Sequence, residues 1–356
     1  TDLAEHYIPL SVTQALTPTF SPVLGPQDIN GISAHVPPQT YDGATVFMQQ
    51  TGMVLREYLF NDGSDRYTSD GLSLLATHLF QNQDATTGDD TPADIRGSTV
   101  LTGTTRRPES YYFTVNVGKG EIVQFHSQRV EKIAGFGRWT TDGTFSDVMA
   151  VGNQLFCVVK REVAGDVWDA AFSDDFGRAD TVYHLERFEP SFTLDHAAVS
   201  KNALPGKVFT GFSLLAGKTV HVSSRSALYL GTFTVASDGS ITIAEDDTEI
   251  TAGLDYTVSL KTLRPTFTAP GFTIFGEIIR LIAMRIQMSE AYSLQVAGTN
   301  KLIVKKVNDD FSLDPTAIAG IREYPLKGYS RDAEVELTQD SPLPLRILGW
   351  QLEIGI

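Results

Sequence analysis

Tyr111-Tyr-Phe-Thr-Val-Asn-Val117, Gly118-Lys-Gly120 and Glu121-Ile-Val-Gln-Phe125 read as strand, turn and strand. The first and third stretches are rich in β-branched and aromatic residues, and the Gly-Lys-Gly step between them supplies a backbone that reverses tightly. The pattern recurs. Val148-Met-Ala-Val151 turns at Gly152-Asn153 into Gln154-Leu-Phe-Cys-Val-Val-Lys160, and Ala44-Thr-Val-Phe-Met48 turns near Thr51-Gly52 into Met53-Val-Leu-Arg-Glu-Tyr-Leu-Phe60. A further strand, Thr181 to Phe188, follows an acidic stretch. The units that begin at Tyr111 and Val148 lie about 37 residues apart, near the roughly 40 to 50 of propeller blades. The expected fold is therefore mainly β, with propeller-like blades over residues 1–190.

Working outward, Ser69-Asp70-Gly71 ahead of Leu72, Leu75, Ala76, Leu79 and Phe80 has helical spacing and a capping residue, which predicts one short helix packed on the sheet. The polar stretch Gln81–Arg107 is expected to be a surface loop inserted between blades. From Phe192 to Pro265 short strands alternate with turns, Asp238-Gly239 among them, and predict a small β-sandwich or barrel over 191–265. Residues 266–356 are expected to return as strands completing the first body. Within them Ile282, Met284, Ile286 and Met288 face one way, against Ala283, Arg285, Gln287 and Ser289. Leu348, Trp350, Leu352, Ile354 and Ile356 alternate in the same manner, so the last strand must be paired in a sheet or against a partner.

The chain of 356 residues carries a net charge of −15, with 42% apolar and 20% charged residues. That composition is globular, and its charge disfavours tight nucleic-acid binding. The single cysteine, Cys157, excludes an internal disulfide and any Cys-rich zinc site, and its apolar neighbours predict a buried strand residue. No apolar run reaches the roughly 18 residues that span a bilayer, and no leader pattern opens the chain. The start at Thr1-Asp2-Leu3 without Met suggests processing or further residues upstream.

Motifs of nucleotide chemistry fail on context. Gly211-Phe-Ser-Leu-Leu-Ala-Gly217-Lys218-Thr219 spaces its glycines by five residues instead of four and runs into a strand, whereas phosphate cradling needs a helix N-terminus. Gly118-Lys-Gly120 lacks the third glycine of a dinucleotide fingerprint. The histidines at 6, 35, 78, 126, 184, 196 and 221 form no metal-holding local pair. Asn61-Asp-Gly-Ser-Asp65 offers oxygens to calcium but lacks the spacing and closing Glu of a known loop. The acidic pairs at 89–90, 174–175, 246–247 and 309–310 adjoin turn residues and read as solvated turns. Neither a catalytic, a cofactor-binding nor a metal-ligating residue is assigned, and the chain is expected not to be an enzyme.

Several segments in order resemble the C-terminal part of tail tubular protein B, the nozzle protein of short-tailed bacteriophages. They are Val46–Phe60, Leu72–Phe80, Val151–Arg161, Tyr183–Phe188, Leu215–Val222, Ile250–Leu263 and Asp332–Leu348. The stretch 81–107 and the short chain depart from that family. The resemblance implies a virion component: a hexameric ring of identical subunits at the distal end of a short tail, attached to a tail adaptor and neighbouring tail fibres, through which DNA leaves without tight binding. A surplus of carboxylates along such a channel would repel phosphates.

The rival reading is a virion-borne or secreted polysaccharide-binding protein or glycoside hydrolase. It calls for a cleft with two facing carboxylates beside exposed aromatic side chains, for which Trp139 and Trp168 are candidates.

Overall fold

The structure, a computed structural model, describes residues 4–7, 25–83, 90–103, 109–162, 181–189, 191–224, 228–266, 268–269, 272–273, 278–298, 300–302 and 316–355. These residues are nearly all β and fall into two compact units, the first ending at Glu189.

In the first unit β1 (Glu5–Tyr7) pairs with β2 (Gly25–Asp28). Two four-stranded antiparallel meanders follow. One consists of β3 (Gln39–Tyr41), β4 (Ala44–Met48), β5 (Leu55–Asn61) and β6 (Arg66–Gly71) in sequence order. After the short pair β7 (Gln81–Gln83) and β8 (Asp90–Pro92), the other joins β9 (Ile95–Leu101), β10 (Tyr111–Asn116), β11 (Glu121–Gln128) and β12 (Ile133–Trp139). A third meander has three strands, β13 (Thr144–Val151), β14 (Gln154–Glu162) and β15 (Thr181–Phe188). Consecutive strands pairing in order is the pattern of propeller blades. The deciding hairpin closes with Tyr112 opposite Phe125 and Asn116 opposite Glu121. Two cores lie beneath these sheets, one around Tyr41, Met48, Phe80 and Phe125, the other around Phe113, Ile122, Leu155 and Val159.

Two expectations are corrected here. No helix forms over 69–80. β6 runs through Gly71, and the backbone N–H of Leu72 still donates to the Leu55 carbonyl at 2.8 Å while Ser73 Oγ accepts from the Leu55 N–H at 2.9 Å. These bonds spend the polar groups that would have started a helix on the sheet instead. A single 3₁₀ turn at Thr77–Leu79 suffices to bury Leu79 and Phe80, while Leu75 is fully exposed. Nor is 81–107 simply an inserted loop. Its stretch Ile95–Leu101 is a full blade strand that buries Ile95 and Leu101, whereas residues 84–89 and 104–108 lie outside the described residues.

The second unit contains β16 (Asp195–Phe209), β17 (Thr219–Ser224), β18 (Gly231–Thr234) and β19 (Ile241–Leu254) in the order β16-β19-β17-β18, over a core that includes Phe209, Phe212, Val220 and Ile250. β20 (Val258–Lys261) and the two-stranded pair β21 (Thr268–Ala269) and β22 (Phe272–Thr273) follow. β23 (Ile279–Ala291), β24 (Gln295–Val296), β25 (Asn300–Lys301), β26 (Gly320–Pro325), β27 (Tyr329–Ser330), β28 (Glu336–Gln339) and β29 (Leu345–Gly355) complete it.

The expected return of 266–356 to the first body is corrected. β20 pairs with β28, and Leu260 packs on the same core as Met284, Ile286, Met288 and Leu337. Of the alternating set in β23, Met284, Ile286 and Met288 are buried and Gln287 and Ser289 are exposed, but Ala283 is buried as well. The C-terminal strand is paired in a sheet: β29 lies antiparallel to β23, with Trp350 opposite Ile286 and Leu352 opposite Met284.

Candidate functional site

The three-stranded sheet of the first unit carries apolar side chains on both faces, because Leu155-Phe-Cys-Val-Val159 is an uninterrupted apolar run and neighbours in a strand point to opposite sides. On one side Val148, Leu155, Cys157 and Val159 enter the core. Cys157 is thus the buried strand residue its neighbours predicted, its Sγ 3.7 Å from the Glu186 carbonyl. On the other side the register places Met149 opposite Phe156, Val158 opposite Leu185 and Lys160 opposite Tyr183. There Met149 (57%), Val151 (55%), Tyr183 (63%) and Leu185 (74%) stay exposed. An antiparallel sheet with one solvated face ordinarily turns polar residues to water, whereas here Gln154, Lys160 and Arg187 share that face with exposed apolar side chains.

The core side of β14 and β15 holds a charge pair. Arg161, 1% exposed, donates from Nε and Nη2 to the two carboxylate oxygens of Glu186 at 2.5 and 2.8 Å, and from Nη1 to the Asp142 carbonyl at 2.5 Å. Burial holds the neighbouring His184 imidazole below its ordinary value, against the attraction of Glu186. This is a geometry for positioning two strands.

A shallow cleft opens at the end of the first meander, lined by Gln27, Phe60, Asp65, Arg66 and Tyr67, with a volume of about 380 Å³. β5 and β6 place Phe60 opposite Tyr67, and the turn 61–65 between them brings Asp65 to the rim with φ of 49°. The rings are packed: Tyr58 stacks on Tyr67 with centroids 5.0 Å apart, and Phe60 meets Tyr67 edge-on at 5.2 Å. Burial and then the Glu5 carboxylate push the Tyr58 hydroxyl up to about 12. Gln27 Oε1 accepts the Tyr67 N–H at 3.2 Å, which fixes β2 to β6.

Beside this, Ser69 donates to Asp28 from both N–H (3.1 Å) and Oγ (2.7 Å). Burial pushes the Asp28 carboxyl up, but these bonds, the Ile29 N–H and the Arg56 charge together hold it below the usual carboxylate range. The loop considered for calcium spends Asn61 Oδ1 on the Gly63 N–H at 2.9 Å, closing its own turn.

In the second unit the glycine-rich stretch 211–219 forms a 3₁₀ turn at Ser213–Leu215 that buries Phe212 and Leu215 before β17 begins. His221 receives the Tyr229 hydroxyl at 2.8 Å on Nδ1, with Asp255 3.7 Å from Nε2, beyond hydrogen-bond distance. No local sequence motif announced that group, since its members come from one strand and two loops. Asp247 accepts the Thr248 N–H at 2.6 Å, but it lies buried within β19 opposite Gly206, so the expectation of a solvated turn at 246–247 is corrected. Of the aromatic candidates, Trp139 donates to Gln124 at 2.9 Å and packs against Phe113 and Phe188, so it is a core side chain. Trp168 and the acidic pairs 174–175 and 309–310 lie outside the described residues, as does Asp89.

No protein-family model and no curated protein matches the chain. Among solved structures it is similar to an exo-β-1,3-galactanase from Phanerochaete chrysosporium with galactose, at 8% identity, over 95% of this chain and 72% of that one, with a TM-score of 0.24. A variant of that enzyme with β-1,3-galactotriose matches at 8% identity over 88% and 67%, with a TM-score of 0.20. At these values the likeness assigns no residue and no substrate. The expectation that the chain is not an enzyme is nonetheless corrected: both solved structures named here are enzymes, and catalysis is not excluded.

Proposed function

We propose that the chain is a structural subunit that assembles with copies of itself and, following its resemblance to tail tubular protein B, builds the ring-shaped distal nozzle of a short phage tail, attached to an adaptor, through which DNA is ejected. The observation that carries this reading is the open face of the β13–β15 sheet, where Met149, Val151, Tyr183 and Leu185 remain more than half exposed. Contiguous exposed apolar side chains mark interaction surfaces. The central strand β14 and the edge strand β15 fall largely in segments that carry the resemblance, Val151–Arg161 and Tyr183–Phe188. The net charge of −15 supports the conduit, since a wall with surplus carboxylates lets a duplex slide where a basic wall would hold it.

Electron microscopy of the purified chain at high concentration tests the reading. Closed rings with a central opening are expected. Single particles of monomer size throughout would contradict it.

A further inference from the structure

The cleft at the open end of the first meander has a chemistry that self-assembly does not use. Phe60 is 42% exposed although its ring packs edge-to-face with Tyr67, which itself stacks on Tyr58, so part of an aromatic side chain already held by its neighbours stays open to solvent. Asp65 and Arg66 flank it, and the side chain of neither makes a hydrogen bond or ion pair within the described residues. The volume of about 380 Å³ lies at the lower end of the roughly 300–1,000 Å³ of small-molecule pockets.

The charge balance selects the ligand class. An aromatic ring beside a lone carboxylate suits a cation, and one beside a lone guanidinium suits an anion. Here both stand together, so an ion of either sign meets repulsion as well as attraction. A neutral molecule that offers hydroxyls as donors to Asp65 and acceptors to Arg66, with an apolar C–H face for the ring, satisfies every group. Those are the features of a pyranose.

We propose that this cleft binds a saccharide, with a sugar ring laid on Phe60 and its hydroxyls bonded to Asp65 and Arg66. The rigid stack matters because a ring already fixed loses little side-chain freedom on binding. The site goes beyond the assembly reading and does not depend on it.

Saturation-transfer difference NMR on the full chain tests the site, using the methyl glycosides of glucose, galactose, mannose and N-acetylglucosamine as separate probes at millimolar concentration. The expected result is transfer to the C–H protons of at least one glycoside, lost in both Phe60→Ala and Arg66→Gln. Phe60 and Arg66 are exposed, and unchanged circular dichroism of the variants shows that the fold persists. Transfer to none of the four, or equal transfer in wild type and both variants, overturns the proposal. Oligomeric state is expected to be the same in all three proteins, so this outcome is read separately from assembly.

Discussion

Arg161 and Glu186 face each other across β14 and β15 in a two-pronged pair, 2.5 Å at Nε and 2.8 Å at Nη2, with the guanidinium almost wholly buried. A pair this deep repays its desolvation only while both partners are present. Glu186→Gln is expected to cost about 3–5 kcal/mol, because it takes a bidentate carboxylate away from a buried cation. The double change Arg161→Met with Glu186→Leu is expected to recover most of that loss. Urea midpoints of the three proteins check both statements.

His184 makes the first unit sensitive to acid. Burial lowers its affinity for a proton in the folded chain relative to the ordinary value of 6.5, so the unfolded chain takes up the proton first as pH falls. The stability associated with neutral His184 is therefore complete above that value and is lost as pH drops below it. His184→Gln is expected to flatten the dependence between about pH 7 and pH 5, read from denaturant midpoints at several pH values.

Gly239 and Gly152 both hold turns at positive φ, +75° and +62°, yet only one is crowded. A Cβ at 239 would stand 2.6 Å from the Ser213 backbone nitrogen, in the 3₁₀ turn that buries Phe212, whereas at 152 it would meet nothing within 4 Å. Gly152→Ala is expected to cost about 1 kcal/mol from the backbone alone, and Gly239→Ala about 2–3 kcal/mol or more. Thermal midpoints of the two variants should rank in that order.

Much of the β architecture was legible in the sequence because it depends on local signals. The Gly118-Lys-Gly120 and Gly152-Asn153 turns set the registers of β10–β11 and β13–β14, and the alternation in β23 placed Met284, Ile286 and Met288 in the core. The helix over 69–80 misread a tertiary effect: Leu72 and Ser73 bond to Leu55, a partner that no local pattern names. Trp139 lies partly buried between Phe113 and Phe188, as core packing of a tryptophan would have it. The cleft was hidden because Phe60 and Tyr67 flank a turn read only for its oxygens. The open sheet face could have been suspected, since Leu155–Val159 has no polar alternation, but only the register with β15 brings Leu185 beside Val158.

Assembly through that open face is the claim on which the functional reading rests, and light scattering coupled to size-exclusion chromatography of the wild type and Leu185→Asp tests it most directly. Leu185 is 74% exposed, so a carboxylate there leaves the fold intact while desolvating poorly in an interface. The account predicts a mass several times that of one chain for the wild type and a single-chain mass for the variant. A wild type that stays at the mass of one chain at high concentration, or a variant that assembles equally well, would contradict it.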